Sequence, residues 1–389
     1  MNSGKTNKQP YTQYFDRAIL TFGVFYAIKQ SQLDYMGLQI ITYPMLILSV
    51  GFSLLSIWRN YKWSVFNTFM FFILFFISFY LRIAYQSNVL ISSMLILAAY
   101  NIPFSHITKL CVKTLTIVFS IVLLSLMLGL VKDRLYYRDV DLFSGGYAHD
   151  IGFKYYSYSY LGMGIVQCCI YMWRKHLNIY KIAFLMLFSY MFFILSSTRL
   201  QLYACAAFIG TILILPYIPK FILNNKILAG VAIVAYPVIC FVMYFLSKYA
   251  ILYLFYDGYD ELNKVMSGRL RLNEEAFLRY DVTLWGNDLD LETTIRSSKY
   301  YFYIDSGYLH TLLGDGLVFT VIILLLYSIL TYKLFRAKAY YLYIWVMIYA
   351  ILNISNGFLV SLLANPILLL AFSDIDSIRS DYYNSSNNI

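Results

Sequence analysis

Residues 227–247 read ILAGVAIVAYPVICFVMYFLS, a run without a single charge. A helix rises 1.5 Å per residue, so about 20 apolar residues cross a hydrocarbon core roughly 30 Å thick. This run is of that kind, and it has company. Comparable segments lie at 16–33, 36–57, 64–81, 88–105, 114–131, 156–173, 182–197, 200–217, 305–332, 339–355 and 357–373. With so many, the chain reads as an all-α polytopic integral membrane protein of about twelve transmembrane helices. The first segment, bounded by Arg17 and Lys29, also fits a helix lying in the membrane interface.

Composition agrees. Hydrophobic residues make up 60% and charged residues 13% of the chain, with mean hydropathy +0.64. A soluble domain is about 45–50% apolar and about a quarter charged. One soluble core cannot hide that excess, whereas a bilayer supplies the apolar solvent. The net charge of +10 is scattered over segment ends rather than gathered into a stripe, which excludes a nucleic-acid surface. The five cysteines fall in or beside apolar segments, so neither a disulfide nor a zinc site is expected.

Arg59 and Lys62, Lys109 and Lys113, Arg174, Lys175 and Lys181, Lys220 and Lys226, and Lys333, Arg336 and Lys338 occupy connections that alternate onto one face. The positive-inside rule makes that face cytoplasmic. Both termini then lie on the cytoplasmic side of the membrane, and two long polar stretches, 132–155 and 249–302, lie outside. Residues 1–373 form one transmembrane domain on this reading. Residues 374–389, rich in Ser and Asn, form a polar tail expected to lack structure.

The second polar stretch follows the ninth span and carries Met266-Ser267-Gly268-Arg269-Leu270-Arg271-Leu272. Met266, Leu270, Phe277, Tyr280 and Leu284 recur at helical spacing, which predicts a surface helix over 266–284 with Ser267 as its N-cap. Arg271 is set to pair with Glu275. Arg269 has no acidic residue three or four positions away, which leaves its charge for a ligand. The chain then re-enters the membrane as Asp305-Ser306-Gly307-Tyr308-Leu309-His310. In one continuous helix Asp305, Tyr308, Leu312 and Asp315 would share a face. A carboxylate inside a span marks a site, and one near a sugar hydroxyl can act as general base.

Elsewhere on the outer side, Arg199 follows Ser196-Ser197-Thr198 at a helix mouth, and Arg82 sits at the tight turn 82–87. Snorkelling to lipid headgroups explains such arginines, and so does a phosphate clamp, because guanidinium donors match phosphate oxygens in pairs. The first loop offers Arg138 and His149, either as a solvated connection or as one wall of a cleft. Asp139-Val140-Asp141 and Asp288-Leu289-Asp290 have the spacing of metal-holding pairs but lack a third ligand, so no metal is expected. There is no phosphate-binding glycine loop, no HExxH and no GxSxG, which leaves ATP-driven work, dinucleotide chemistry and serine hydrolysis unsupported.

Four segments, in this order, resemble the Wzy-type oligosaccharide repeat-unit polymerases, relatives of the O-antigen ligases. They are Asp150-Ile151-Gly152-Phe153; Ser197-Thr198-Arg199-Leu200; Ser267-Gly268-Arg269-Leu270 with Leu284-Trp285-Gly286; and Ile304-Asp305-Ser306-Gly307-Tyr308-Leu309 with Gly314 and Gly316. The family often continues the first segment with Pro-Asn, where this chain has Lys154-Tyr155. The resemblance implies a GT-C-like transferase of polysaccharide biosynthesis. It would move a growing glycan from undecaprenyl diphosphate onto the next lipid-linked repeat unit at the outer leaflet, without cofactor. Arg199 and Arg269 would hold the diphosphate and Asp305 would be the catalytic base. Arg82, Arg138, His149, Arg271, Tyr308 and His310 would line the substrate site. A flippase and a chain-length regulator of the same pathway would be partners. An O-antigen-ligase-like transferase and a transporter of lipid-linked oligosaccharide are the alternatives.

Overall fold

The protein is seen in a computed structural model that describes residues 12–85, 87–138, 146–154, 158–248, 260–261, 263–264, 266, 268–291, 302–357 and 359–374. Its principal helices are α1 (Thr12–Lys29), α2 (Gln39–Asn60), α3 (Val65–Tyr85), α4 (Val89–Ala98), α5 (Phe104–Met127), α6 (Tyr158–Trp173), α7 (Ile179–Ser196), α8 (Arg199–Ile214), α9 (Lys226–Lys248), α10 (Arg269–Arg279), α11 (Gly307–Arg336) and α12 (Tyr340–Leu352). Seven of them, α2, α3, α5, α7, α8, α9 and α11, are long and apolar enough to cross a membrane.

The outer faces are what a bilayer requires. Phe69, Phe76, Leu187, Val231 and Phe241 stand exposed along their helices. In water, apolar patches of that extent would drive association. α1 belongs to the bundle, packed on α2 and α5 with Phe15, Ala18, Ile19, Phe22 and Phe25 buried. α4 has ten residues and all ten are buried. At 1.5 Å per residue it is about 15 Å long, half a membrane thickness, and sits wholly inside protein.

The last apolar segment, 357–373, is not the α-helix its composition predicts. Its described residues form turns and a 3-10 helix, Pro366–Ala371. Leu359, Leu362, Leu363, Ala364 and Ile367–Ala371 are buried. Backbone without helical bonds survives at such depth only where other protein groups satisfy it. Tyrosines do so here. The Tyr327 hydroxyl donates to the Leu359 carbonyl (2.8 Å), and Tyr349 donates to Ala364 (2.6 Å). Gly164 of α6 lets the Leu363 carbonyl approach a place where a Cβ would collide with it. Nearby, Tyr236 donates to the Val346 carbonyl and stacks on Tyr327 with ring centroids 4.0 Å apart. These tyrosines are buried donors to backbone carbonyls in the core.

The polar stretch after α5 also departs from expectation. It folds into an antiparallel hairpin, β1 (Leu135–Arg138) with β2 (Gly146–His149), in which Leu135 faces His149 and Arg138 faces Gly146. The connection between α1 and α2 clasps it. Gln32 donates its amide N–H to the Lys132 carbonyl (2.6 Å) and to Asp150 Oδ2 (3.0 Å), while its own Oε1 accepts from the Lys132 amide. Asp34 bridges Lys29 (3.4 Å) and Lys154 through one oxygen. Helix ends thus fall into two groups. Lys29, Ser87, the hairpin, Tyr158, Arg199 and Gly307 lie at one end of the bundle. Arg59, His106, Lys226, Lys333 and Arg336 lie at the other.

Candidate functional site: a cavity beside a broken helix

α11 does not run straight from Gly307. Gly307–His310 is one α-turn, Thr311–Asp315 is a π-turn, and Gly316 breaks the path at φ 86°, ψ 166° before the helix resumes. Only glycine enters that region readily. A π-turn adds a residue and sets carbonyls off the helical ladder. The preceding loop collects what the break releases. The Asn287 amide side chain donates to the Leu313 carbonyl (2.8 Å), and its backbone N–H donates to Gly314 (3.2 Å). In return, the Leu317 and Val318 amides donate to the Thr283 and Leu284 carbonyls (3.0 and 3.2 Å). The two backbones approach so closely because Gly286, Gly314 and Gly316 carry no side chains. A Cβ on Gly316 would stand 2.6 Å from the Leu284 oxygen.

Next to the break is a cavity of about 450 Å³. Its polar lining includes Lys29, Ser87, Tyr303, His310, Asp315 and Ser361. Both irregular segments form walls of it, the π-turn through Thr311 and Asp315 and the later segment through Gly357, Val360, Ser361 and Leu362. Asp315 is buried, and its Oδ1 accepts a bond from the Ser87 hydroxyl (3.0 Å). The volume lies within the usual range for small-ligand sites, about 300–1,000 Å³.

Beside the cavity wall formed by Tyr303 and Gly307, Asp305 meets Arg269. Nε of Arg269 lies 3.0 Å from Asp305 Oδ2, close enough for an ion pair though its N–H is not aimed along a hydrogen bond. Both side chains are about three-quarters buried, with 24% and 25% exposure. The expectation that Arg269 has no acidic partner is therefore corrected. Counting along one helix misses a carboxylate supplied from 36 positions away. The helix carrying Arg269 starts at that residue, with Gly268 as its N-cap at φ 81°, and ends at Arg279, shorter than predicted. Ser267 lies outside the described residues. Glu275 pairs with Arg279, not with Arg271, whose side chain is exposed.

No family model matches this chain, and no curated protein or solved structure does either.

The remaining expected residues divide by position. His310 lines the cavity. Tyr308 does not: it is fully buried, and its hydroxyl donates to the Ala350 carbonyl (2.8 Å), because Asp305 precedes the helix and the two never share a face. Arg199 begins α8, half-buried, next to a buried hydroxyl and amide cluster of Ser159, Ser196, Thr198 and Gln201. Arg82 is at the cavity end of α3, 3.3 Å from Asn88 Oδ1 and over the Tyr43 ring. Arg138 lies in β1. His149 Nδ1 stands 2.6 Å from Asp133 Oδ2. Behind it, burial raises the Asp150 carboxyl above its ordinary value against bonds from the Arg134 and Gly152 amides. Asp139 and Asp141 lie outside the described residues. Among the described residues no group of three acidic, His or Cys side chains could hold a metal.

Sequence reading missed Lys29 and Ser87. Lys29 closes an apolar run and was indistinguishable from a topology signal. Ser87 carries no signal at all. The chamber joins one ammonium, one imidazole, one carboxylate and several hydroxyls at the end of an otherwise apolar bundle. Such a lining, rich in hydroxyls, suits a hydroxyl-rich ligand.

Proposed function

We propose that the protein is a membrane glycosyltransferase of the Wzy polymerase kind, working on undecaprenyl-diphosphate-linked oligosaccharide. The observation that carries this reading is the Arg269–Asp305 pair. Two segments distant in sequence bring a guanidinium and a carboxylate together beside a polar cavity. In the proposed reaction a sugar hydroxyl of the acceptor repeat unit attacks the anomeric carbon of the donor glycan. The bond from that carbon to the diphosphate oxygen breaks, and the lipid diphosphate leaves with the electron pair. Asp305 takes the hydroxyl proton. Arg269 and Arg199 stabilise charge on the leaving diphosphate, and such preorganised donors act most strongly where water is excluded.

The proposed topology has about twelve passages. The seven long helices span the membrane, and α1, α4, α6, α12 and the irregular 357–373 segment complete the bundle. Arg59, Arg174, Lys175, Lys220, Lys226, Lys333 and Arg336 gather at the end away from the cavity, which supports an outward-facing cavity and cytoplasmic termini.

The deciding experiment uses purified protein in proteoliposomes with lipid-linked repeat unit. Formation of a ladder of lipid-linked oligomers is expected. A product attached to a different acceptor would instead favour a ligase. The broken α11 favours a second reading, because discontinuous helices at a central cavity are common in transporters. Movement of the lipid-linked unit across the bilayer with no new glycosidic bond would establish that one.

A further inference from the structure

A second cavity, about 780 Å³, opens at the opposite end of the bundle. It lies between the start of α3, the turn after α4, the end of α11 and residues 372–374. Phe66, Asn67, Tyr100, Lys333, Arg336 and Asp374 are among its lining. Two of these are cations one turn apart on α11. Lys333 Nζ donates to the Ala371 carbonyl (2.9 Å), which leaves two of its three N–H groups for other acceptors. The Arg336 guanidinium donates one N–H to the Tyr332 hydroxyl (3.1 Å) and offers four more. Lys62 stands close by, next in the chain to Tyr61, whose ring packs against Tyr100 and Phe372 of the wall. Among the described residues Asp374 is the one carboxylate in the lining, against the two cations Lys333 and Arg336.

We infer that this cavity is a binding site for an anionic glycerophospholipid, with Lys333 and Arg336 on the phosphate. Charge selects an anion, and the surroundings select a lipid. Apolar side chains lead from the cavity along both flanking helices toward the middle of the bundle. On α3 they are Phe66, Phe69 and Phe76; on α11 they are Tyr332, Leu325 and Val321, all exposed. Acyl chains attached to a headgroup in the cavity would lie on them. A free phosphate would leave that path unused. Basic pockets between transmembrane helices hold anionic headgroups by this geometry.

The test compares short-chain phosphatidylglycerol with phosphatidylcholine of the same chain length, binding to the intact protein in detergent by native mass spectrometry. Phosphatidylglycerol should bind at least about tenfold tighter. Lys333→Gln with Arg336→Gln should erase that preference, a loss of about 30-fold if each cation contributes as it does near an anionic surface. Lys220→Gln, at the same end but outside the cavity, should change nothing. Asp374→Asn should tighten binding, and this arm decides if the double variant does not fold. Equal binding of the two lipids, a preference that survives the double variant, or no gain with Asp374→Asn would overturn the site. So would glycerol phosphate binding as tightly as the lipid.

Discussion

Arg269 and Asp305 show what residue types alone can and cannot reveal. Each stood out in the sequence for its own reason, one as a cation with no local counter-charge, the other as a carboxylate at a membrane re-entry. Their pairing was invisible, because periodicity reaches four residues and the fold closes 36. Arg offers a planar fork to paired oxygens and Lys a point charge. Arg269→Lys should therefore lose most oligomer formation while the protein accumulates normally. The expected loss is about 2–4 kcal/mol of transition-state stabilisation, or about 30- to 1000-fold in rate. Asp305→Asn keeps the size, removes the basicity and should be as severe. Ladder length on a carbohydrate gel, at matched protein level, reads both. Wild-type ladders would take either residue out of the site. Asp315 was noticed as a carboxylate inside a span, but its partner Ser87, in the connection between α3 and α4, was not foreseeable.

At the scale of elements, the long helices were plain in the sequence because apolar length alone specifies them. The breaks were not. A π-turn depends on what donates to the displaced carbonyls, and Asn287 is in a different segment. Gly286, Gly314 and Gly316 were visible only as short motifs, and their mutual contact is a tertiary fact. Gly316→Ala should destabilise by at least about 1–3 kcal/mol, since it forces a side chain into a glycine-only conformation and against the Leu284 carbonyl. Gly210→Ala, in mid-helix with open space around it, should be neutral or stabilising by up to about 1 kcal/mol. Melting in detergent compares the two, and an equal effect would mean the break is not tightly held. The carbonyls that Tyr327 and Tyr349 serve are likewise tertiary facts, with no trace in the local sequence.

For the whole molecule, membrane character was written in composition and the grouping of the helix ends in the basic short connections, while the cavity between those helices had to come from the fold. Residues at the cavity end should be accessible from outside the cell and those at the other end should not. The five native cysteines are buried, so an impermeant thiol reagent should report only introduced ones. Asp288→Cys should label in whole cells and Ala337→Cys only after lysis. The reverse pattern would invert the proposed orientation. The proposed transfer uses the diphosphate as leaving group, so oligomer formation in proteoliposomes should survive EDTA. Loss of activity restored by Mn²⁺ would point to a metal-dependent transferase instead.

The irregular segment 357–373 has a bearing on biogenesis. Its carbonyls are met by Tyr327 and Tyr349, and its Leu363 packs on Gly164, all earlier in the chain. Released into lipid alone, such a stretch would carry unsatisfied amides that no hydrocarbon can accept. The observed conformation can therefore be held only against the helices ahead of it, whose side chains satisfy its backbone. The cavity, walled in part by Gly357, Val360, Ser361 and Leu362, is thus complete only when this stretch has packed against those helices.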